Sequence, residues 1–175
     1  MAEIKFINGK ETNFADIICE YKKNQDRNVI VTTFGISIKQ IEKLLYNFKT
    51  VEVIVDESQS KLNKNMFDRI VILNKQNDNF ILKCASIHSK LAIVDNEKLI
   101  ITSANLTNNQ KIESYFFIDT KNIIGMNKIL SFIKNIPADS FLKGRRYHKD
   151  KRDSLNNDNM KNNNFKDFDF GVWDD

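Results

Sequence analysis

The segment IHSKLAIVDNEKLIITSANLT, residues 87–107, decides how the chain is read. Three polar residues, His88-Ser89-Lys90, lead into the apolar run Leu91-Ala92-Ile93-Val94, and the stretch from His88 to Val94 reads as a strand with a side-chain period of two. That period puts His88 and Lys90 on the same face, about 7 Å apart along the strand, and turns Asp95 to the other. Asn96-Glu97 is the expected tight turn, and Lys98 to Thr102 the returning strand of a hairpin. The return carries Ser103 and Asn105 back toward the level of His88 and Lys90. An imidazole, an ammonium, a hydroxyl and a carboxamide gathered in one pocket suit a tetrahedral phosphate.

The flanking sequence predicts a layered α/β domain. Ile4 to Ile7 forms a short strand, and Asn13 to Lys22 a helix with Phe14, Ile17, Ile18 and Tyr21 at helical spacing and Asn13 as its cap. Val29 to Phe34 is a β-branched run suited to a buried parallel strand, broken by Gly35. Ser37 caps the next helix, whose apolar positions are Ile38, Ile41, Leu44, Leu45 and Phe48. Val51 to Val55 is a strand ending at Asp56. A helix from about Lys61 to Leu73 follows, with Leu62, Met66, Phe67, Ile70 and Leu73 inward. Phe80 to Ala85 and Ser114 to Asp119 are further strands, and Ile123 to Ile133 is a helix with Ile124, Ile129, Leu130 and Ile133 inward. Alternating strands and helices imply a mixed, mostly parallel sheet between helical layers.

At its central segment the chain resembles the phospholipase D superfamily. The family pattern is His, any residue, Lys, four residues, Asp, six residues, then Gly-Ser, any residue, Asn. His88, Lys90, Asp95, Ser103 and Asn105 fall on it with every spacing kept. Thr102 stands where the family usually has Gly, a departure that bears on the backbone of the turn and removes no reactive group. Element order around the motif extends the likeness to roughly residues 25–135. The resemblance implies a phospholipase D-like layered sandwich and phosphodiester transfer.

Composition sets bounds on the rest. The 175 residues suit one catalytic domain, assigned to 1–143, with 41% hydrophobic residues and 13 Phe to fill a core. No run of about 18 apolar residues is present, so no membrane span is expected, and the first residues lack the apolar segment of a signal peptide. Cys19 and Cys84 are far apart and give no metal-ligand spacing, which fits free thiols in a reducing cytoplasm. A net charge of +4 is compatible with a polyanionic substrate. Residues 144–175 differ in composition. Arg145, Arg146, Lys149, Lys151 and Arg152 form a basic root suited to phosphate backbone. An Asn-rich, apolar-poor stretch follows, and then an acidic, aromatic tip, FKDFDFGVWDD. This region is expected to be a disordered tail, its tip a docking element for a protein partner or for the chain's own basic cleft.

Phosphodiester cleavage needs a nucleophile, an acid for the leaving oxygen, and cations or donors for the remaining phosphate oxygens. His88 can attack or protonate near neutral pH, Lys90 supplies charge, and Ser103 and Asn105 supply hydrogen bonds. No acidic cluster or His/Cys set with metal spacing accompanies them, so neither metal nor cofactor is expected. One imidazole cannot attack and protonate at the same moment. A symmetric homodimer would supply the second, as the resemblance also implies for a chain with a single motif; His148 lies in the tail beside no matching lysine. Strand parity gives Asp95 a structural role. Glu113 stands near where related enzymes place a Glu that fixes the imidazole tautomer. A metal-independent, cytoplasmic DNA endonuclease acting through a phosphohistidine is the leading expectation. A phospholipase D or phosphatidyltransferase acting on lipid is one alternative, and a catalytically silent nucleic-acid-binding module another.

Overall fold

The computed structural model describes residues 3–8, 12–21, 27–107, 112–138 and 140. Seven strands form a single sheet in the order β1-β7-β6-β5-β2-β3-β4. They are β1 (Glu3–Asn8), β2 (Asn28–Thr33), β3 (Thr50–Asp56), β4 (Phe80–Ala85), β5 (Leu91–Val94), β6 (Lys98–Thr102) and β7 (Ile112–Asp119). Among the described residues, β2, β3 and β4 are the strands that pair in parallel. The β2–β5, β5–β6, β6–β7 and β1–β7 pairings are all antiparallel, so the expected preponderance of parallel pairing does not hold. The reason lies in the connections. Helical crossovers return the chain in parallel, whereas β5 to β6 closes through a tight turn that only antiparallel strands can share.

Helices cover both faces. α1 (Phe14–Glu20), α2 (Ile38–Asn47) and α4 (Lys64–Gln76) lie on one, over a core of Val31, Val53, Leu82, Ala92 and Ile100. α5 (Met126–Asn135) lies on the other, where Met126, Ile133 and Ile136 meet Ile54, Ile93 and Leu99. Sequence explains much of this locally. Asn13 caps α1 by accepting from the Asp16 amide, and Asp16 accepts from the Asn13 amide in return, a reciprocal box. At α2, Ser37 holds the cap position but makes no side-chain cap bond. Its backbone amide donates instead to the Leu106 carbonyl at 2.9 Å, tying the helix start to the segment after β6.

Two helical expectations and one turn shift. The helix placed at 61–73 is broken at Asn63, which leaves the short α3 (Gln59–Leu62) ahead of α4 and puts Leu62 in solvent at 68% exposure. Ile124 was expected to face inward but is fully exposed. Gly125, with φ 85° at the N-cap of α5, turns the chain before the helix begins. The hairpin turn lies one residue earlier than Asn96-Glu97. Asp95 and Asn96 have φ 50° and 59°, and the Glu97 amide donates to the Val94 carbonyl. Asp and Asn tolerate the left-handed region that such a turn demands.

Edge strand β4 is closed by side chains. Its Leu82 amide donates to Asn74 Oδ1 (2.7 Å) and its Cys84 amide to Ser140 Oγ (2.8 Å). Both donors are thereby withheld from pairing with another chain. Beside them, buried Lys83 pairs with Glu52 at 2.8 Å and donates to the Ile133 carbonyl at the end of α5.

Candidate active site

Strand directions bring His88, Lys90, Ser103 and Asn105 to one edge of the sheet. Parallel β2, β3 and β4 end there at Thr33, Asp56 and Ala85, β6 ends there at Thr102, and antiparallel β5 and β7 begin there. In open α/β sheets, ligands gather outside the carboxyl ends of parallel strands. His88 and Lys90 precede β5 at this edge, Ser103 and Asn105 follow β6, and Glu113 is the second residue of β7.

The strand expected from His88 begins only at Leu91, and residues 87–90 run into it without ladder pairing. Their neighbours anchor them all the same. The Ile87 amide donates to Asp56 Oδ2 (3.1 Å), Ser89 Oγ shares a hydrogen bond with Thr32 Oγ1 (2.8 Å), and the Lys90 carbonyl accepts from the Thr102 amide (3.0 Å). His88 sits among these anchors with its own side chain exposed. Its ring rests against Phe34 with centroids 5.2 Å apart and planes tilted by 42°. Phe34 went unremarked in the sequence as anything but the end of a strand.

Across the edge, Ser103 is held on β7. Its amide donates to the Ser114 carbonyl (3.1 Å), its Oγ accepts from the Ser114 amide (3.1 Å), and its hydroxyl donates to the Glu113 carboxylate. Asn105 Oδ1 accepts from the Gly35 amide (3.1 Å), which fixes the sense of the carboxamide and leaves its NH2 as the donor end. A Cβ at Gly35 would press on Thr107 Cγ2 at 3.2 Å, which would have to give slightly, and would make ordinary contact with Asn105 Cγ at 3.5 Å.

Asp95 is elsewhere. It lies past the opposite end of β5, where Oδ2 pairs with Arg27 Nε at 2.9 Å and Oδ1 accepts from the Asn28 amide at 2.7 Å. Its own amide donates to the Asn28 carbonyl, so the residue staples the hairpin to the start of β2. Arg145, Arg146, Lys149, Lys151 and Arg152, His148, and the acidic-aromatic tip all lie outside the described residues.

Cys84 lies near the same edge and is buried. Burial, with Glu57 and Asp56 nearby, pushes its thiol up to about 12, so it stays protonated at neutral pH and is no nucleophile there. Among the described residues no three His, Cys, Asp or Glu side chains are grouped to hold a metal ion. Among them, too, no helix is long and apolar enough to cross a membrane.

This sheet, with its helical layers and the edge that carries the motif, is a phospholipase D-like fold. NucT from Helicobacter pylori matches it with a TM-score of 0.54 at 14% identity, over 78% of this chain and 96% of its own. Nuc from Salmonella typhimurium, a phospholipase D family member, matches with a TM-score of 0.55 at 15% identity, over 78% of this chain and 94% of its own. No protein-family model and no curated protein matches the sequence.

Proposed function

We propose that the chain is a phosphodiesterase that cuts DNA without a metal ion, through a phosphohistidine, at a site shared by two copies of itself. The observation that carries this reading is the convergence of His88, Lys90, Ser103, Asn105 and Glu113 on one edge of a phospholipase D-like sheet, with His88 open to solvent. The fold match to NucT and to Nuc, a phospholipase D family member, adds support.

In this scheme His88 of one copy attacks phosphorus, forming the N–P bond as the P–O bond to the leaving oxygen breaks. His88 of the other copy enters protonated and gives its proton to that oxygen. It then takes a proton from water, whose oxygen displaces the histidine and restores both imidazoles. Lys90 and the Asn105 NH2 bind the phosphate oxygens, where charge builds in the transition state. Glu113 fixes the tautomer of the imidazole and holds the Ser103 hydroxyl. The basic residues Arg145, Arg146, Lys149, Lys151 and Arg152 contact backbone phosphates away from the cut.

The test uses plasmid and single-stranded DNA in excess EDTA. Cleavage by the wild type that disappears in His88→Ala supports the reading. A mixing experiment probes the shared site: in an equal mixture of wild-type and His88→Ala subunits, only about a quarter of dimers keep both imidazoles. Activity near half that of the wild type would show that each subunit cuts alone, and activity near three-quarters that one imidazole suffices at the shared site. Release of phosphatidic acid from mixed lipid vesicles would replace the nuclease with a lipase, and salt-sensitive DNA binding without turnover would leave a binding module.

A further inference from the structure

Thr102 occupies a position where the phospholipase D pattern usually has glycine, yet the structure gives it no glycine-like task. It is the last residue of β6, paired with Tyr115, and the non-glycine residues of positive φ among those described are Asp95 and Asn96. What it adds is a hydroxyl. Thr102 Oγ1 donates to the Ser114 carbonyl (2.9 Å) and accepts from the Ala104 amide (3.0 Å). Glycine can make neither bond.

Thr33 mirrors this arrangement on β2. Its Oγ1 donates to the Gly35 carbonyl (2.8 Å) and accepts from the Leu106 amide (3.0 Å). Both threonines are buried, at 9% and 0% exposure, as are the Ala104 and Leu106 residues whose amides they accept. Each hydroxyl therefore takes one amide from the Ser103–Leu106 turn and ties it to a carbonyl on a neighbouring strand or loop. One tie goes toward β7, which carries Glu113, and the other toward the Phe34-Gly35 turn, which carries the ring against His88 and the amide against Asn105. Asn105, which binds phosphate in the proposed scheme, lies between the two tied amides, and Ser103, which bonds Glu113, lies within the Thr102–Ala104 tie.

We propose that Thr102 and Thr33 are positioning residues, a pair of hydroxyl clamps that fix Ser103 and Asn105 relative to β7 and β2. The proposal rests on the phosphodiesterase reading of the site. Losing either hydroxyl strands a buried amide, and the turn must shift to recover a partner. A shift of about 1 Å in a group that binds the transition state can cost on the order of a hundredfold in rate.

The experiment compares Thr102→Val, Thr33→Val, Thr102→Ser and Thr33→Ser in the full chain, with Thr102→Gly as the family's own residue. Valine keeps the shape and deletes the hydroxyl, whereas serine keeps the hydroxyl. All are assayed on the DNA substrate well below their unfolding temperatures. The valine and glycine variants should lose about ten- to a hundredfold in kcat with KM little changed, and serine should restore most of the loss. Thr102→Val placed on Ser103→Ala should add little further loss, because it acts through Ser103. Hydrogen exchange at the Ala104 and Leu106 amides reads the clamp without turnover: protection should fall in the valine variants and hold in the serine ones. Valine variants with wild-type kcat, serine variants that fail along with valine, or unchanged amide exchange would each overturn the clamp. A wild type that cleaves no phosphodiester would sink the reaction reading instead, with the exchange data still deciding the clamp.

Discussion

Asp95 belongs to the motif by spacing, and the structure separates that membership from the chemistry. The four residues of β5 alone span about 13 Å, and Asp95 lies beyond one end while His88 lies before the other. Asp95→Ala removes three things. The Asn28 amide loses a charged acceptor, worth about 1.5–3 kcal/mol. The partly buried Arg27 loses its 2.9 Å partner, worth up to about 1 kcal/mol for a pair of this exposure. Alanine must also hold φ near 50°, at a cost of about 1–2 kcal/mol. The total is about 2.5–6 kcal/mol of stability. Asp95→Asn is gentler, since Asn tolerates the left-handed region and keeps an acceptor oxygen; it should cost about 1–2 kcal/mol. Urea denaturation gives the stability, and DNA cleavage well below the midpoint gives kcat. The expected result is a lower midpoint for both variants, with kcat of Asp95→Asn within about twofold of wild type. A hundredfold fall in kcat at unchanged stability would refute the separation and return Asp95 to the catalytic group.

Three further outcomes follow from particular contacts. Lys83→Met leaves Glu52 buried without its 2.8 Å partner and should cost about 3–5 kcal/mol by chemical denaturation, whereas adding Glu52→Leu should recover most of it. Cys84 remains a thiol in the fold up to about pH 12 but ionises near 9 once unfolded, so the unfolded state releases a proton that the native state keeps. Stability therefore falls as pH rises through that window, and the wild type should lose about 2 kcal/mol relative to Cys84→Ala between about pH 9 and 11; parallel curves would contradict this. Glu113→Gln removes the carboxylate that holds the Ser103 hydroxyl and should lower kcat about a hundredfold with KM little changed. An equal loss through KM alone would make Glu113 a binding group.

The layered sheet was legible because its strands and helices carry their own signals. The β-branched runs at β2 and β3, the capping box of α1 and the apolar stripe of α5 are local patterns with local causes. What sequence period could not give was where pairing stops. The strand reading runs back to His88, but the ladder starts at Leu91, opposite Thr32 and Ile101. Beyond Thr33 the neighbouring chain turns away through Phe34 and Gly35, so residues 88–90 have no ladder to join on that side. Ile124 shows the same limit in a helix. The apolar spacing runs through it, yet the left-handed Gly125 sets it outside the helix and in solvent.

The site divides along similar lines. The residues proposed to carry chemistry stand at fixed spacing, and His88, Lys90, Ser103 and Asn105 could be read from one segment of sequence. Residues that hold them in place are ordinary in type and distant in number. Thr33 bonds Leu106, Gly35 bonds Asn105, Asp56 receives the Ile87 amide, and Thr32 meets Ser89. In sequence each is only the end of a strand or the start of a turn. They become a frame because parallel β2 and β3 end at the edge where β5 begins, a consequence of topology that no local window contains. A threonine at 102 looks like a lost glycine until β7 is placed beside it, since the carbonyl it bonds belongs to Ser114. The site can therefore depart from the phospholipase D-like pattern at that residue, because the Thr102 hydroxyl bonds both the Ser114 carbonyl and the Ala104 amide.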